Sequence, residues 1–294
     1  MIQKLKHLSI RLLQHVARKA NYKFVLKNLK PLLELQHIHT LLETKRFFQL
    51  IDTVEMDIPA GKRITVIAPH TDDDIFGAGG TLLKAAAHGS TVDIIYLSNS
   101  AKDTDGVNQV IREATTICQR YGAHPHFLHY HPNNIPIDKA DDLAHLILAL
   151  SPNILFTAFF LDDNDDHRRA NQLLLQSTSK VKLPAIEVWA YQIYSSIPAN
   201  VVIDITEGIQ EKITLMKIWE NVRGDRDWVH YILGINMANC RYLKKRELCY
   251  GELFFVLPLH EYLDLCANYF KAPLSALYNN QNYHSNNSDD NVKM

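Results

Sequence analysis

Apolar segments alternate with helical patterns along the middle of the chain, and this alternation limits the fold more than any other feature of the sequence. The predicted strands are 62–69, 91–98, 126–130, 153–159, 185–191 and 200–205. The predicted helices are 79–88, 107–122, 138–150, 167–178 and most of 206–240. Strands that are apolar at nearly every position are typical of sheets buried on both faces. The pattern therefore predicts an α/β fold with a mostly parallel sheet and helices on both faces.

Composition and charge exclude several classes of protein. The 294 residues are 47% hydrophobic, which is enough for a large core, and 31 basic residues balance 32 acidic ones, so a dedicated nucleic-acid binder is not expected. The four cysteines have no CxxC spacing, which is typical of reduced thiols in a cytoplasmic protein. No segment approaches the ~20 apolar residues of a membrane span, and we identify no signal peptide. We expect a cytoplasmic protein.

The two ends of the chain differ from its middle. Residues 1–33 contain eight Lys or Arg and no acidic residue, and their apolar residues follow helical spacing. This segment is either a helix packed on the domain with a solvated basic face, or a helix on an anionic membrane surface that would make the protein membrane-associated. We divide the chain into a basic helical N-terminal extension (1–59), a main α/β domain (60–275) and a polar, disordered tail (276–294).

Two acidic turns follow predicted strands. The first contains His70 and the run Asp72–Asp74, and the glycines after it would let the backbone approach a ligand at the predicted start of a helix. The second turn is Asp162–His167. The carboxyl ends of parallel strands meet at one edge of a sheet, so side chains of both turns can hold one divalent metal. The alternatives are a solvated acidic turn for the first segment and helix capping by Asp165 or Asp166 in the second.

The two turns resemble the signature of the LmbE-like, or PIG-L, de-N-acetylase family. That signature is a His-Pro-Asp-Asp-Glu turn followed by a glycine pair, with a His-x-Asp-His segment after a later strand. The corresponding segments here read PHTDDDIFGAGG and NDDHR. Weaker similarities occur in REATTICQRYGA, PANVVIDIT and YGELFFV. The resemblance covers roughly residues 60–257.

The resemblance implies a Rossmann-like fold around one zinc ion, with another divalent transition metal as the alternative. It implies that His70, Asp73 and His167 are the metal ligands and that Asp72 is the general base. By the same resemblance the protein is a metal-dependent hydrolase with a metal-bound water as its nucleophile. The implied reaction removes the N-acetyl group from an N-acetylglucosamine-type sugar or glycoconjugate.

Three residues depart from the family signature. Thr71 replaces a proline, and Asp74 replaces a glutamate. Asn164 stands where many members have a histidine that helps stabilise the oxyanion or protonates the leaving amine. An asparagine amide donates a hydrogen bond but transfers no proton at neutral pH, so we predict a catalytic role for Asn164 as an oxyanion donor only. The candidates for the general acid are Asp72, His230 and a histidine within 124–131.

Arg112 and Asp166 are the predicted substrate-binding residues, although an ordinary ion pair on its helix is the alternative for Arg112. Trp189 and Tyr191 either line a sugar pocket or belong to the core. Glu252 has the same two interpretations. Two other functions remain open from the sequence. One is an amidase for another acyl-amine substrate, and the other is an inactive, metal-holding glycan-binding protein, which Asn164 in place of histidine suggests.

Overall fold

The computed structural model describes residues 52–99, 104–180, 183–219 and 227–270. The compact unit Lys45–Asn268 contains all of its strands and all of its helices except the last two residues of the final helix. The predicted basic helix in residues 1–33 and the predicted tail lie outside the described residues, and the three-part division of the chain stays a prediction. Within the described ranges, no helix combines the length and the apolar character needed to cross a membrane.

Eight strands form one sheet in the described residues. They are β1 (Val54–Glu55), β2 (Arg63–Ala68), β3 (Thr91–Ser98), β4 (His124–Tyr130), β5 (Ile154–Ala158), β6 (Glu187–Tyr191), β7 (Val201–Asp204) and β8 (Gly251–Pro258). Their order across the sheet is β1-β7-β8-β6-β5-β2-β3-β4. All neighbouring pairs are parallel except the two that β8 makes with β6 and β7. The predicted, mostly parallel α/β sheet is confirmed, and the sequence did not reveal the reversed strand β8.

Seven α-helices occur in the same residues. They are α1 (Asp73–Ala87), α2 (Thr104–Arg120), α3 (Ala140–Leu150), α4 (Asp165–Lys180), α5 (Ile209–Met216), α6 (Trp228–Asn239) and α7 (Leu259–Phe270). Successive side chains of β2 point to opposite faces of the sheet. Ile64 and Val66 belong to the core cluster that contains residues of α1, whereas Thr65 and Ile67 are equally buried on the other face. Both faces of the sheet are therefore covered, as predicted.

Helix α1 begins at Asp73 and not at residue 79, so two of the three consecutive aspartates lie in its first turn. The glycines of this helix serve packing. A Cβ atom on Gly77 would lie 2.3 Å from the ring of Tyr191, and one on Gly80 would lie 2.6 Å from Cβ of Ile205. A Cβ atom on Gly79 would lie 2.5 Å from Cδ1 of Ile75. The prediction that Gly79 and Gly80 admit a ligand is therefore wrong, because side chains of the protein already fill the space.

Candidate metal centre

Adjacent strand ends bring the two acidic turns together. Strands β2 and β5 are parallel neighbours, so their carboxyl ends lie at the same edge of the sheet. His70 follows β2 by two residues, and His167 lies in the first turn of α4, the helix after β5. Asp73 is the first residue of α1. The topology therefore places the three predicted ligands at one edge of the sheet, although His167 lies 94 positions after Asp73 in the chain.

Asp73 lies between the two histidines. Its Oδ2 atom is 3.1 Å from Nδ1 of His70 and 3.2 Å from Nε2 of His167. One ligand-type atom from each of the three residues lies within 4.8 Å of the other two. Ligand atoms about 2.1 Å from a tetrahedral zinc ion are ~3.4 Å apart. The three side chains are therefore close enough to bind a common ion.

Several atoms of this group lack the hydrogen bonds that buried polar atoms normally make. His167 is fully buried, and neither ring nitrogen makes a well-aligned hydrogen bond, although each lies 3.2 Å from a carboxylate oxygen. The Oδ1 atom of Asp73 is also buried without a hydrogen-bond partner among the described residues. Buried polar atoms are nearly always satisfied. A shared cation would bind Nε2 of His167 and a carboxylate oxygen of Asp73, and Nδ1 of His167 would then donate to its neighbouring carboxylate, so the donor set fits a divalent transition metal.

The electrostatics of the group favour a positive charge at this point. Burial disfavours the imidazolium form, but the neighbouring carboxylates together outweigh it: Asp73 and Asp166 raise the pKa of His70 to about 9, and Asp73 and Asp162 raise that of His167 to about 10. Burial would raise the pKa of Asp73, but the two protonated histidines hold that pKa well below its usual range. A bound metal would take the place of the two protons, because only neutral imidazole is a metal ligand.

Two further carboxylates orient the histidine rings. Oδ1 of Asp162 lies 3.2 Å from Nδ1 of His167, and Oδ2 of Asp166 lies 3.1 Å from Nε2 of His70. Contacts of this kind fix the orientation of a metal-ligating imidazole and raise its basicity. No role is predicted for Asp162 from the sequence, where its only signal is its position in the same turn as His167. The five residues His70, Asp73, Asp162, Asp166 and His167 are called the histidine cluster below.

The structure places the two predicted substrate-binding residues differently. Asp166 lies in the histidine cluster, where its Oδ2 also accepts the N–H of Asn133 at 2.6 Å. Arg112 lies on α2, and in the described residues no hydrogen bond or ion pair joins its side chain to the cluster. Substrate binding by either residue stays a prediction.

Asp72 and Asp74 flank Asp73 but have different surroundings. Asp72 is the N-cap residue of α1, yet its buried side chain makes no capping hydrogen bond. Asp74 accepts hydrogen bonds from the hydroxyl groups of Tyr121 at 2.5 Å and Tyr96 at 3.2 Å. Burial raises the pKa of Asp74 to about 7, against the effect of these hydrogen bonds. Asp74 is thus held by two tyrosines, whereas Asp72 is not used to cap its helix, which is compatible with the predicted role as base.

Asn164 caps helix α4. Its side-chain Oδ1 accepts the N–H of Asp166 at 2.9 Å, which is the hydrogen bond of an N-cap residue. The prediction that Asp165 or Asp166 caps the helix is wrong, because both residues already lie in its first turn. With Oδ1 engaged by the helix, the amide NH₂ group is the part of Asn164 that can donate to a ligand.

The alternative general acids bond to residues outside the histidine cluster. His126 Nε2 lies 2.9 Å from Asp93 Oδ1, and His129 Nδ1 lies 2.9 Å from Asn99 Nδ2. His230 is an exposed residue of α6.

The aromatic residues Trp189 and Tyr191 of β6 are 1% and 0% exposed, which confirms the interpretation that they belong to the core.

A second buried polar group contacts α1 one to two turns after its start. Lys212 Nζ donates to three acceptors, namely Glu252 Oε1 at 2.7 Å, Asn236 Oδ1 at 3.0 Å and the Phe76 carbonyl at 3.1 Å. Glu252 also accepts the N–H of Gly80 at 2.9 Å and both the N–H and the hydroxyl of Thr81 at 2.8 and 2.6 Å. Lys212, Asn236, Glu252 and Thr81 are called the Lys212 network below. Glu252 therefore has a structural partner inside the protein.

The fold and the histidine cluster together define a class of protein: an α/β domain with a candidate metal centre at the carboxyl edge of a mostly parallel sheet. Residues 65–178 match the model of the PIG-L family, described as GlcNAc-PI de-N-acetylase. This segment contains both acidic turns, and the resemblance predicted from them is confirmed. This segment, which is less than half of the chain, is similar to the PIG-L, or LmbE-like, family. No curated protein matches it.

Solved structures of several proteins share the fold. N,N'-diacetylchitobiose deacetylase from Pyrococcus horikoshii superposes with a TM-score of 0.58 and 19% identity, over 74% of this chain and 89% of that chain. The 4-carboxy-2-hydroxymuconate hydratase GalB from Pseudomonas putida KT2440 superposes with a TM-score of 0.56 and 17% identity, over 66% of this chain and 95% of that chain. The zinc-inhibited form of teicoplanin deacetylase Orf2 superposes with a TM-score of 0.52 and 13% identity, over 66% of this chain and 98% of that chain. At these identities the likeness establishes the fold alone.

Proposed function

We propose that this protein is a metal-dependent N-deacetylase that hydrolyses the acetamide of an N-acetylglucosamine-type sugar or glycoconjugate. The observation that carries the proposal is the meeting of His70, Asp73 and His167 at one point. The family match and the fold shared with a diacetylchitobiose deacetylase support an amide of an amino sugar as the bond that is cleaved. Zinc is the proposed metal, and other divalent transition metals belong in the test because Orf2 has a zinc-inhibited form.

His70, Asp73 and His167 would hold the metal, and Asp162 and Asp166 would keep the two imidazole rings in place. A divalent metal at this point supplies Lewis-acid chemistry, polarising the amide carbonyl and lowering the pKa of a water molecule. The buried Asp72 carboxylate then accepts one proton from the attacking water. The same carboxyl group delivers that proton to the amine nitrogen as the carbon–nitrogen bond breaks, so water and amide become acetic acid and amine, which exchange the remaining proton to give acetate and the ammonium form.

Asn164 is the proposed donor to the carbonyl oxygen as that oxygen gains negative charge. Its Oδ1 is held by the N–H of Asp166, which fixes the direction of its NH₂ group. A preorganised donor of this kind contributes about 3 kcal/mol of barrier lowering. Asparagine supplies no proton, so this role leaves Asp72 as both base and acid.

The direct test measures acetate release by the purified full-length chain from a panel of N-acetylated sugars, after chelation and after addition of zinc, iron, cobalt or manganese. We expect stoichiometric acetate and free amine only with metal present. The shared fold of a hydratase makes the amine readout necessary, because water addition to a double bond releases neither product. Absence of acetate and amine with every metal and sugar would refute the proposed function.

A further inference from the structure

An aromatic pocket next to the histidine cluster is not used by the hydrolytic steps described above. The described residues that line it are Asp163, Asn164, Tyr194, Trp228 and Tyr231, and its volume is about 450 Å³. Tyr231 is 40% exposed, which is unusual for a large aromatic side chain packed among other rings. Partly exposed aromatic rings around a cavity with a few polar groups are typical of small-molecule sites.

The three rings form a concave surface rather than a compact stack. The ring centroids of Tyr194 and Trp228 are 5.9 Å apart at an interplanar angle of 65°, and those of Trp228 and Tyr231 are 5.9 Å apart at 87°. Edge-to-face contacts of this kind hold each ring in one orientation. The three rings are therefore not parallel, and their faces can contact different sides of one ligand.

Two residues that line the pocket, Tyr194 and Asn164, contact the histidine cluster. The ring of Tyr194 stacks on the imidazole of His167 with centroids 5.4 Å apart and an interplanar angle of 20°. The N–H of Tyr194 donates to Asp162 Oδ2 at 3.2 Å. Asn164, the proposed oxyanion donor, lines the pocket as well. A ligand in this pocket therefore lies beside the groups proposed to act on the acetamide.

We infer that this pocket binds the sugar ring of an uncharged N-acetylhexosamine glycoside, and the inference rests on the proposed function. The apolar C–H face of a pyranose matches an aromatic ring face, and its hydroxyl groups match the Asp163 carboxylate and the Tyr231 hydroxyl. The Asp163 carboxylate repels phosphate and carboxylate groups, so it disfavours anionic sugars. Tyr194, Trp228 and Tyr231 thus bind the apolar face of the sugar, Asp163 selects for a neutral sugar, and the histidine cluster acts on its N-acetyl group.

Binding can be measured without hydrolysis. Trp189 and Trp219 are 1% and 4% exposed, so Trp228 is the tryptophan that a ligand in this pocket would contact. We would titrate the full-length Asp72→Asn variant with the β-1,4-linked disaccharide of N-acetylglucosamine and follow tryptophan emission and heat. The expected result is a saturable change in emission that is absent from Asp72→Asn/Trp228→Phe, with the heat of binding retained in that variant because the aromatic ring is kept.

Two substitutions on one helix give the matched comparison. Tyr231→Ala should weaken binding about tenfold, because it removes a ring from the pocket. Met237→Ala, at a 49% exposed position of the same helix, should leave binding within about twofold. Tyr231→Phe keeps the ring and should retain most of the affinity. Equal affinity in Tyr231→Ala and the parent, both shown folded by thermal unfolding, would overturn the inference.

The preference for a neutral sugar and the hydrolysis of the acetamide are measured in separate experiments. N-acetylglucosamine 6-phosphate should bind about tenfold more weakly than the neutral sugar, and equal or tighter binding would overturn the assigned ligand class. Acetate release by the wild type with unchanged KM in Tyr231→Ala would overturn the pocket while leaving the proposed function intact. Binding that depends on Tyr231 without any acetate release would support the pocket and refute the deacetylase activity.

Discussion

The histidine cluster and the Lys212 network are both buried, both contain carboxylates and both contact α1, but they are neutralised in different ways. In the Lys212 network, a fully buried ammonium group lies 2.7 Å from a fully buried carboxylate, and hydrogen bonds from α1 complete the group. In the histidine cluster, the ion-pair partners of Asp73, Asp162 and Asp166 among the described residues are two imidazoles. Imidazoles are cationic only when protonated. The first group therefore carries its own fixed cation, whereas the second is suited to an exchangeable one.

On helix α1, the Lys212 network therefore has a structural role, whereas the histidine cluster is suited to chemistry. The Lys212 network fixes Phe76, Gly80 and Thr81 through hydrogen bonds that need no ligand. The N–H of Phe76 in turn donates to the carbonyl of Asp72 at 3.0 Å. The start of α1, with its two site aspartates, is thus held from inside the protein before any metal binds.

Metal removal should have the largest effect, and only at the histidine cluster. We expect chelation, or the substitution His167→Ala, to reduce acetate release about a thousandfold or more, because the Lewis acid is lost. Metal content by mass spectrometry and acetate release would be measured together. Lys84→Met, which removes an exposed ion pair on helix α1, is the control and should retain the metal. Full activity of the chelated wild type would contradict the assignment.

Asp72→Asn should lower kcat by about 10²–10⁴-fold while metal content stays at the wild-type level, because the amide accepts no proton from water. His70→Ala should instead lose metal. The pair of variants separates proton transfer from metal binding within one turn. A wild-type kcat for Asp72→Asn would show that another group is the base.

Lys212→Met should destabilise the protein by about 3–5 kcal/mol, because it leaves the Glu252 carboxylate buried without its cation. The matched control is Lys84→Met, on the same helix, whose partner Asp57 is exposed; its effect should be at most ~1 kcal/mol. Urea unfolding of both variants measures the difference. The double variant Lys212→Met/Glu252→Leu should recover part of the loss. Equal stability of the two single variants would contradict the comparison.

The pH dependence of stability and of metal affinity should also distinguish the histidine cluster from the Lys212 network. In the metal-free protein the pKa values of His70 and His167 are raised to about 9 and about 10 from 6.5, so the folded state binds protons more tightly than the unfolded state. Their stabilisation is complete below pH 6.5 and is lost as the pH rises through 9 to 10. Metal affinity has the opposite trend, because two protons must leave, and should rise by up to about 100-fold per pH unit near pH 7.

Both trends can be measured on one preparation. Calorimetric metal titrations in buffers of different ionisation enthalpy give the number of protons released, and thermal unfolding of the metal-free protein between pH 6 and 10 gives its stability. Release of no protons at pH 7 would contradict the raised pKa values.

The smallest expected effect on stability concerns Asn164. Asn164→Ala should destabilise the fold by about 1 kcal/mol through loss of the cap and should also lower kcat. Asn164→Asp keeps a capping oxygen but has no N–H donor, so its stability should stay near wild type while kcat falls. A wild-type kcat for Asn164→Asp would remove the oxyanion role and leave the cap as the only function of this side chain.

The sequence predicted those parts of the molecule that are encoded locally. Apolar runs such as Arg63–Ala68 identified strands, and His70, Asp73 and His167 stood out because parallel topology brings strand ends together. The start of α1 was misplaced because the glycines at 77, 79 and 80 have low helix propensity, whereas close packing on Tyr191 and Ile205 requires them.

Other features depend on contacts between residues distant in the chain. Glu252 and Lys212 are 40 residues apart, and neither belongs to a motif that indicates a buried ion pair. The pocket combines Tyr194 and Tyr231 with a turn near residue 164, and aromatic residues in loops and at helix starts carry no sequence signal of a shared cavity. The orienting role of Asp162 likewise follows from the fold, because the sequence does not fix which of several neighbouring aspartates points at an imidazole.

Because the amine of Lys212 is completely enclosed, reagents that acylate lysine should leave it unmodified in the native protein while they label Lys84 and Lys245. The peptide that contains residue 212 would then report global opening of the domain. Its labelling rate, followed by mass spectrometry, gives the frequency with which the sheet and α1 separate, without any added probe or change to the chain.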